Sequence, residues 1–383
     1  MTHHPYADRV HFVVELATRL HTYGTTAQRL EGAISGVAAR LGLRCAPWAN
    51  PTGLILSLSD ASQPDTFSNS THVIRLAPGD LDLRKLCETD AIAERTLRGE
   101  LDVSGAVKAL HALDRPAPRG DAIATTLSFG VISAAVATLL RASVADVAVA
   151  GVIGLLVGLA FLFGAGRPRW SEAMELLAGI FVTLLAAAVA TCVVPLSLKT
   201  VIVAALIVLL PGMALTNAVS ELTSQQLVSG TARFAGAVTT LLKLAFGSMV
   251  ASQIALLLHW TPMDYRDVAV VPAWTEWPAL LAAAWAFAVL FKAARRDYAL
   301  VMLSAITGYL TTRIVGLWLP GSAAVFVASV VITVLSNLYA RRMNRPGALI
   351  RVPGIILMVP GSVGFRGRSS IFEQQVALGL DTA

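Results

Sequence analysis

Apolar and polar positions change period twice along this chain. From Val10 to Leu20 the apolar residues Val10, Val13, Val14, Ala17 and Leu20 recur at helical spacing, and Gly24 is placed to end that helix. Thr25-x-x-Gln28 has the form of a capping box, after which Leu30, Ile34, Val37 and Leu41 carry a second apolar stripe down to Gly42. The pattern predicts a helical hairpin. Three β-favouring runs follow, Cys45 to Ala49, Leu54 to Ser59 and His72 to Leu76, with turn chemistry at Asn50-Pro51-Thr52-Gly53 between the first two. Pro78-Gly79-Asp80 then offers a helix start, and a helical pattern runs to about Arg98 and again from Val103 to Leu113. These elements predict a small α+β domain over residues 1–115.

Past a proline-rich linker over 116–121 the pattern loses its polar face. Apolar stretches occupy roughly 122–140, 144–165, 172–194, 198–219, 235–258, 275–293, 298–318, 320–340 and 348–364. Most reach the roughly 20 residues that cross a hydrocarbon core of about 30 Å. The sequence thus predicts an α-helical polytopic membrane protein of nine helices behind a cytoplasmic domain. With the N-terminus inside, the inner loops hold Arg167, Arg169, Arg233, Lys292, Arg295, Arg296, Arg341, Arg342 and Arg345, and the outer loops up to residue 321 hold only Arg141, Lys199 and Arg266. That asymmetry follows the positive-inside rule.

The apolar segments also repeat. LLPGMALTNAVSEL at 209–222 and MVPGSVGFRGRSS at 358–370 align on their Pro-Gly pairs at an offset of 149 residues. The segment starts at 122, 144, 172 and 198 map onto 275, 298, 320 and 348 at offsets between 148 and 154. Each unit would hold five helices, an odd number, so the second would lie inverted in the membrane. Inverted repeats are characteristic of secondary transporters. The expected units are a first repeat over 122–260 and a second over 261–383, lacking its fifth helix.

Composition agrees with two solvents. Only 14% of the 383 residues are charged, against about 25% in soluble domains. Half of the charged side chains, 27 of 54, fall in the first 121 residues. The net charge of +6 belongs to the membrane loops and is no nucleic-acid footprint. The start MTHHPYADRV lacks the basic and apolar segments of a secretory signal, which places the domain in the cytoplasm. Cys45, Cys87 and Cys192 have no C-x-x-C spacing and read as small buried hydrophobes.

Chemistry concentrates at the two Pro-Gly pairs. Proline removes a backbone donor, so a break inside lipid frees polar groups that protein, water or substrate must satisfy. The candidate transport path is therefore Pro211, Gly212, Thr216, Asn217 and Glu221 after the first break, and Pro360, Gly361, Ser362 and Arg366 after the second. Helical spacing puts Asn217 and Glu221 on one face. Such residues offer acceptors for an ammonium group and donors for a carboxylate. Their bland alternative is a packing kink with charges in interfacial water. Glu221, Arg233 and Lys243 are the coupling candidates. A charge at a helix centre costs roughly 2.5–3.5 kcal/mol on insertion scales, so Lys243 suggests a paired site, whereas Arg313, near a segment end, is expected to snorkel. The histidines lack H-E-x-x-H spacing and are expected on solvated helix faces, and neither G-x-S-x-G nor a Walker loop occurs. No enzyme activity, cofactor or metal is expected.

The blocks VVELATRLHTYGTTAQRLEGAISGVAARLGL, VIRLAPGDLDLRKLCETDAIAERTLRGELDVSGAVKAL and LLPGMALTNAVSELTSQQLVSGTARFAGA, with MVPGSVGFRGRSS in the second half, resemble the threonine/serine exporter family over essentially the whole chain. The resemblance implies a ten-helix exporter with a cytoplasmic N-terminal domain, driven by the proton-motive force, in a bacterial-type inner membrane. It carries over Pro211, Gly212, Asn217, Gly230 and Arg233 from the first motif, and Pro360 and Gly361 from the second. The absent tenth helix departs from it. Implied partners are threonine or serine, protons and the lipid bilayer, with a homo-oligomer left open and no nucleic acid. Split relatives linked to succinate-like dicarboxylate export supply one alternative, and a channel or a membrane-anchored hydrolase supplies two others.

Overall fold

The computed structural model describes residues 5–62, 70–115, 119–164, 167–265 and 268–358. The amino-terminal elements are α1 (Tyr6–Thr22), α2 (Ala27–Arg40), β1 (Leu43–Asn50), β2 (Gly53–Asp60), β3 (Ser70–Arg75), α3 (Leu83–Leu97) and α4 (Val103–Ala112). The three strands form one antiparallel sheet in the order β1-β2-β3, with Cys45 opposite Leu58 and Leu56 opposite His72. Alternate β2 residues Leu54, Leu56 and Leu58 are fully buried and share a core with Phe12 and Leu16 of α1 and Leu30 and Ile34 of α2. Two buried arginines tie α1 into this layer. Arg9 donates to Leu41 O at 2.8 Å and to Asp60 at 2.6 Å, and Arg19 donates to Leu110 O at 3.0 Å and to Asp114 at 2.7 Å.

Gly24 ends α1 as its spacing predicts. It sits at φ +81, and Thr25 N–H closes the helix on Leu20 O at 3.1 Å. The capping box does not form. The residue before α2 is Thr26, whose side chain makes no cap bond, and the Ala27 N–H donates instead to the Glu221 carboxylate at 2.9 Å. A full negative charge at a helix N-terminus meets both the free amide and the helix dipole, which a neutral hydroxyl meets less well.

The second part contains α5 (Arg119–Leu139), α6 (Val144–Gly164), α7 (Pro168–Cys192), α8 (Leu198–Leu206), α9 (Gly212–Thr223), α10 (Leu227–Leu257), α11 (Glu276–Leu290), α12 (Tyr298–Val315), α13 (Gly321–Met343) and α14 (Ala348–Ile356). Seven of the described helices are long and apolar enough to cross a membrane, or eight if the bent α8–α9 pair counts as one span. The count of nine is therefore not reached among the described residues. The ninth segment contributes α14, of 9 residues, and its remainder lies outside them.

Helices α7 and α10 cross at paired glycines. A Cβ on Gly179 would lie 2.6 Å from Leu244 O, and one on Gly247 would collide with Leu176 O. Large apolar side chains such as Phe163, Leu257, Phe326 and Trp318 face outward, as lipid contact requires. The end of the bundle that carries the amino-terminal layer is termed proximal, and the other end distal. Trp274, Trp277 and Trp318 are exposed around the distal end, where amphipathic rings suit a membrane–water interface.

The amino-terminal layer is not tethered loosely. Ala288, Ala293, Val301, Ala348, Leu349 and Val352 of the bundle belong to the same buried cluster as its core. The first amides of α3, Leu83 and Arg84, donate to Phe291 O at 3.0 Å and Lys292 O at 3.1 Å at the end of α11. A helix start thereby satisfies carbonyls that a helix end leaves open.

Three local expectations need correction. Cys87 is buried, but Cys45 is half-buried and Cys192 is exposed at the distal end of α7, so only one cysteine is a core residue. His21 is not on a solvated face: it is buried, with Nε2 2.9 Å from Asn50 O. Arg313 does not simply snorkel, because Glu276 on α11 pairs with it.

Candidate functional site

The proximal half of the bundle is built around the first Pro-Gly. After α8 the chain tightens into a 3-10 turn at Ile207–Leu209, Leu210 becomes extended (φ -65, ψ 125), and α9 starts at Gly212. The two halves meet at 58°. Pro211 has no N–H to continue the ladder, so the direction change follows from its chemistry. Thr216 is satisfied within α9, its hydroxyl donating to Gly212 O at 3.0 Å.

Glu221 is the most heavily engaged residue on this helix. It is 1% exposed and accepts from Ala27 N at 2.9 Å, Ser229 Oγ at 2.8 Å and Arg233 Nε at 3.0 and 2.9 Å. Glu221 and Arg233 are both coupling candidates from the sequence, and the structure pairs them. It also adds a partner that no spacing rule could reveal, the start of α2. Glu221 thus fastens the broken helix to the amino-terminal layer, and its oxygens are already filled by protein donors.

Asn217, one turn earlier, has a different setting. With Arg233 it lines a cavity of about 240 Å³ between α9, α10, α14 and the amino-terminal layer. The other walls include Gly24, Thr25 and Arg29 from the start of α2, Asp80 from the loop before α3, Met213 and Ala214 from the first turn of α9, and Arg351 from α14. Burial pushes the Arg29 guanidinium down from its ordinary range, opposed by the nearby Asp90. Burial in turn pushes the Asp90 carboxyl up. Behind the cavity, His21 is held below 6.5 by burial, with the Arg233 charge adding to the effect.

The candidates from the second break, Pro360, Gly361, Ser362 and Arg366, lie outside the described residues. Lys243 belongs to a separate contact: its ammonium is 3.5 Å from Glu175 and donates to Glu172 O at 3.0 Å, joining α10 to α7. It therefore does not meet Glu221 or Asn217.

Three buried carboxylates escaped sequence reasoning. Asp146 at the start of α6 is fully buried and accepts from Ser143 N and Oγ at 3.0 and 2.9 Å, Ser197 N at 2.8 Å and Tyr265 Oη at 2.6 Å. Asp297, before α12, receives both Arg345 nitrogens at 2.7 and 2.8 Å. Glu276 at the distal end binds Arg141 at 3.1 Å and Tyr309 Oη at 2.9 Å as well as Arg313. Each sits at a segment boundary, where a charge ordinarily reads as interfacial. Arg351, by contrast, interrupts the apolar run of the ninth segment, a signal available in the sequence.

His11, Glu15 and His111 offer ligand atoms within 4.8 Å of one another. Arg19 pairs with Glu15 and approaches His111 Nδ1 at 3.1 Å, so a fixed cation already occupies the charge environment a metal would need.

The geometry, a bent apolar span whose proximal half opens on a small polar cavity, suits passage of a small solute. Comparisons with known proteins agree. Residues 11–255 match a threonine/serine exporter family model, and residues 279–383 match a second, described as "Threonine/Serine exporter, ThrE". "Pheromone-regulated membrane protein 10" of Debaryomyces hansenii is 25% identical over 382 residues, covering 93% of this chain and 36% of the relative. Its namesake in Candida albicans is 25% identical over 390 residues, covering 98% and 34%. The chain thus spans about a third of the length of these yeast relatives. A "Threonine/serine exporter" of Corynebacterium glutamicum is 24% identical over 312 residues, covering 79% of this chain and 63% of that protein. No solved structure matches. The chain is a multi-pass membrane protein and belongs to the threonine/serine exporter family.

Proposed function

We propose that this chain is a secondary transporter that exports threonine, serine or a similar small carboxylate metabolite, driven by the proton-motive force. The observation that carries the reading is the span broken at Pro211-Gly212, whose second half, α9, lines a polar cavity at the proximal end. Broken helices place free backbone groups where a substrate is bound. Family membership supports export as the class of activity.

An inverted repeat supports the same mechanism. Arg141 after α5 and Lys292 after α11 both take a left-handed conformation (φ 61 and 50). Each is followed by a buried aspartate at the start of the next helix, Asp146 in the first turn of α6 and Asp297 just before α12. Asp146 binds Ser197 just before α8, and Asp297 binds Arg345 just before α14. One set lies distally and the other proximally, as a two-fold axis in the membrane plane requires. The proposed orientation puts the amino-terminal layer and the Arg-rich loops in the cytoplasm, and the proposed units are 1–115, 116–121, 122–260 and 261–383.

The decisive experiment is flux from proteoliposomes. Labelled threonine or serine should move in the direction opposite to an imposed proton gradient and stop when an ionophore collapses it. Flux that ignores the gradient would leave export standing and remove proton coupling; no flux of either amino acid, or of succinate, would remove the transport reading.

A further inference from the structure

The cavity beneath the amino-terminal layer has a charge pattern that its role as a gap between elements does not require. Arg29, Arg233 and Arg351 converge on it from α2, α10 and α14, while Asp80 is the one carboxylate among the described lining residues. Arg233 is neutralised from behind by Glu221. Among the described residues neither Arg29 nor Arg351 forms a salt bridge, and the two lie close enough for Arg29 to act on Arg351 as a like charge. Asp90 acts on Arg29 from outside the cavity lining, whereas the charge that acts on Arg351 is the like charge of Arg29, and such a guanidinium at a partly buried site favours an anion beside it.

A second observation points the same way. Thr25 is 6% exposed, lines this cavity, and its hydroxyl has no hydrogen-bond partner among the described residues. Buried hydroxyls are normally satisfied. The capping box that the sequence offers would have had the Thr25 hydroxyl accept from the Gln28 amide; that bond does not form, Glu221 holds the neighbouring Ala27 amide, and Thr25 Oγ1 is left over for another partner. The first turn of α9, Met213 and Ala214, also faces the cavity, so that helix directs its free amides and positive dipole end toward the same space. At about 240 Å³, the cavity lies below the roughly 300 Å³ at which pockets for drug-sized ligands begin, and so suits a small metabolite.

We infer that this cavity is a carboxylate-binding site in which the amino-terminal layer supplies Arg29 and Thr25 and the bundle supplies Arg351 and Asn217. This rests on the transport reading in that the carboxylate is taken to be the substrate's own. The amino-terminal layer is then one wall of the binding site and not an appendage. Arg29 and Arg351 form a fork for the two carboxylate oxygens, Thr25 donates its hydroxyl, and Asp80 is the lining group available to an ammonium. Glu221 holds α2 and α9 in register so that the two halves of the site face each other.

The test is binding of labelled L-threonine to the purified full-length chain by equilibrium dialysis, with L-threoninamide, succinate and inorganic phosphate as competitors. L-threonine is expected to bind, succinate to compete, and threoninamide, which lacks the carboxylate, to compete at least tenfold more weakly. Competition by phosphate as strong as by succinate would show a general anion site and overturn the carboxylate assignment. Arg29→Gln and Arg351→Gln are each expected to weaken binding about tenfold or more, with Thr25→Val smaller in effect. Thermal unfolding of each variant identifies any that fails to fold, and Arg29→Lys, which keeps the charge but not the fork, should recover binding only in part. Binding left intact in folded Arg29→Gln and Arg351→Gln would overturn the inference even if transport is found. Binding lost in those variants while the wild type moves no substrate would instead remove the transport reading and leave the carboxylate site.

Discussion

At the residue scale the structure adds most at Glu221, a transport-path and coupling candidate that also ties α9 to the start of α2. Its two oxygens already accept from Ala27, Ser229 and Arg233. Glu221→Gln leaves Arg233 in place with no opposing charge, and breaking a buried pair in this way costs about 3–5 kcal/mol. A fall in the unfolding temperature of the purified protein and faster amide exchange at the start of α2 should both appear. Arg233→Gln on the same background should recover part of the loss, because it removes the stranded charge. Independent, additive losses would show that the pair is not coupled. His21 gives a pH dependence. Burial holds its pKa below 6.5 in the folded state, so between that lowered value and 6.5 the unfolded chain binds more protons than the folded one. Its stabilisation is complete above about pH 6.5 and is lost as pH falls below that. Unfolding temperatures at about pH 7.5 and about pH 5.5 should therefore differ more for the wild type than for His21→Gln.

At the element scale, periodicity and punctuation made most of the architecture legible. The strands, the α1–α2 hairpin and the starts of α6, α8, α12 and α14 fall where the apolar pattern and the Gly and Pro residues put them, because these are local effects of side-chain spacing and backbone sterics. What could not be read was how elements cap one another across the chain. Thr25 and Gln28 promised a local capping box, and a carboxylate from α9 took its place. The α3 amides that close the end of α11 leave no trace in either segment. Likewise, Arg29 looks like an ordinary polar residue on an amphipathic helix until α14 brings Arg351 to the same cavity. Helix crossings follow the same division. Gly179 and Gly247 are visible in the sequence, but only their contact shows that α7 and α10 touch backbone to backbone. Gly247→Leu should force these helices apart and cost about 1–3 kcal/mol, as overpacking does, read as a lower unfolding temperature in detergent. Gly236→Leu, at a position on α10 where a Cβ would meet nothing within 4 Å, is the control and should change it little.

At the scale of the whole molecule, orientation can be tested with a residue the chain already has. Cys192 is exposed at the distal end of α7, whereas Cys87 is buried and Cys45 is half-buried in the amino-terminal layer. If that layer is cytoplasmic, a membrane-impermeant maleimide added to intact cells should label the wild type and not Cys192→Ser, while Cys45 reacts only after the membrane is opened. Labelling of Cys45 in intact cells would invert the orientation.

The bonds from Leu83 and Arg84 to the end of α11 also bear on how the molecule comes together. The amino-terminal layer leaves the ribosome roughly two hundred residues before the helix it closes. Its docking face, which meets Ala288, Val301 and Leu349 in the finished protein, must stay uncovered until α11 to α14 are inserted. Synthesis therefore runs ahead of burial, and helices made later complete a layer that was made before them. A nascent chain arrested before α11 should expose an apolar surface to chaperones that the full-length protein does not.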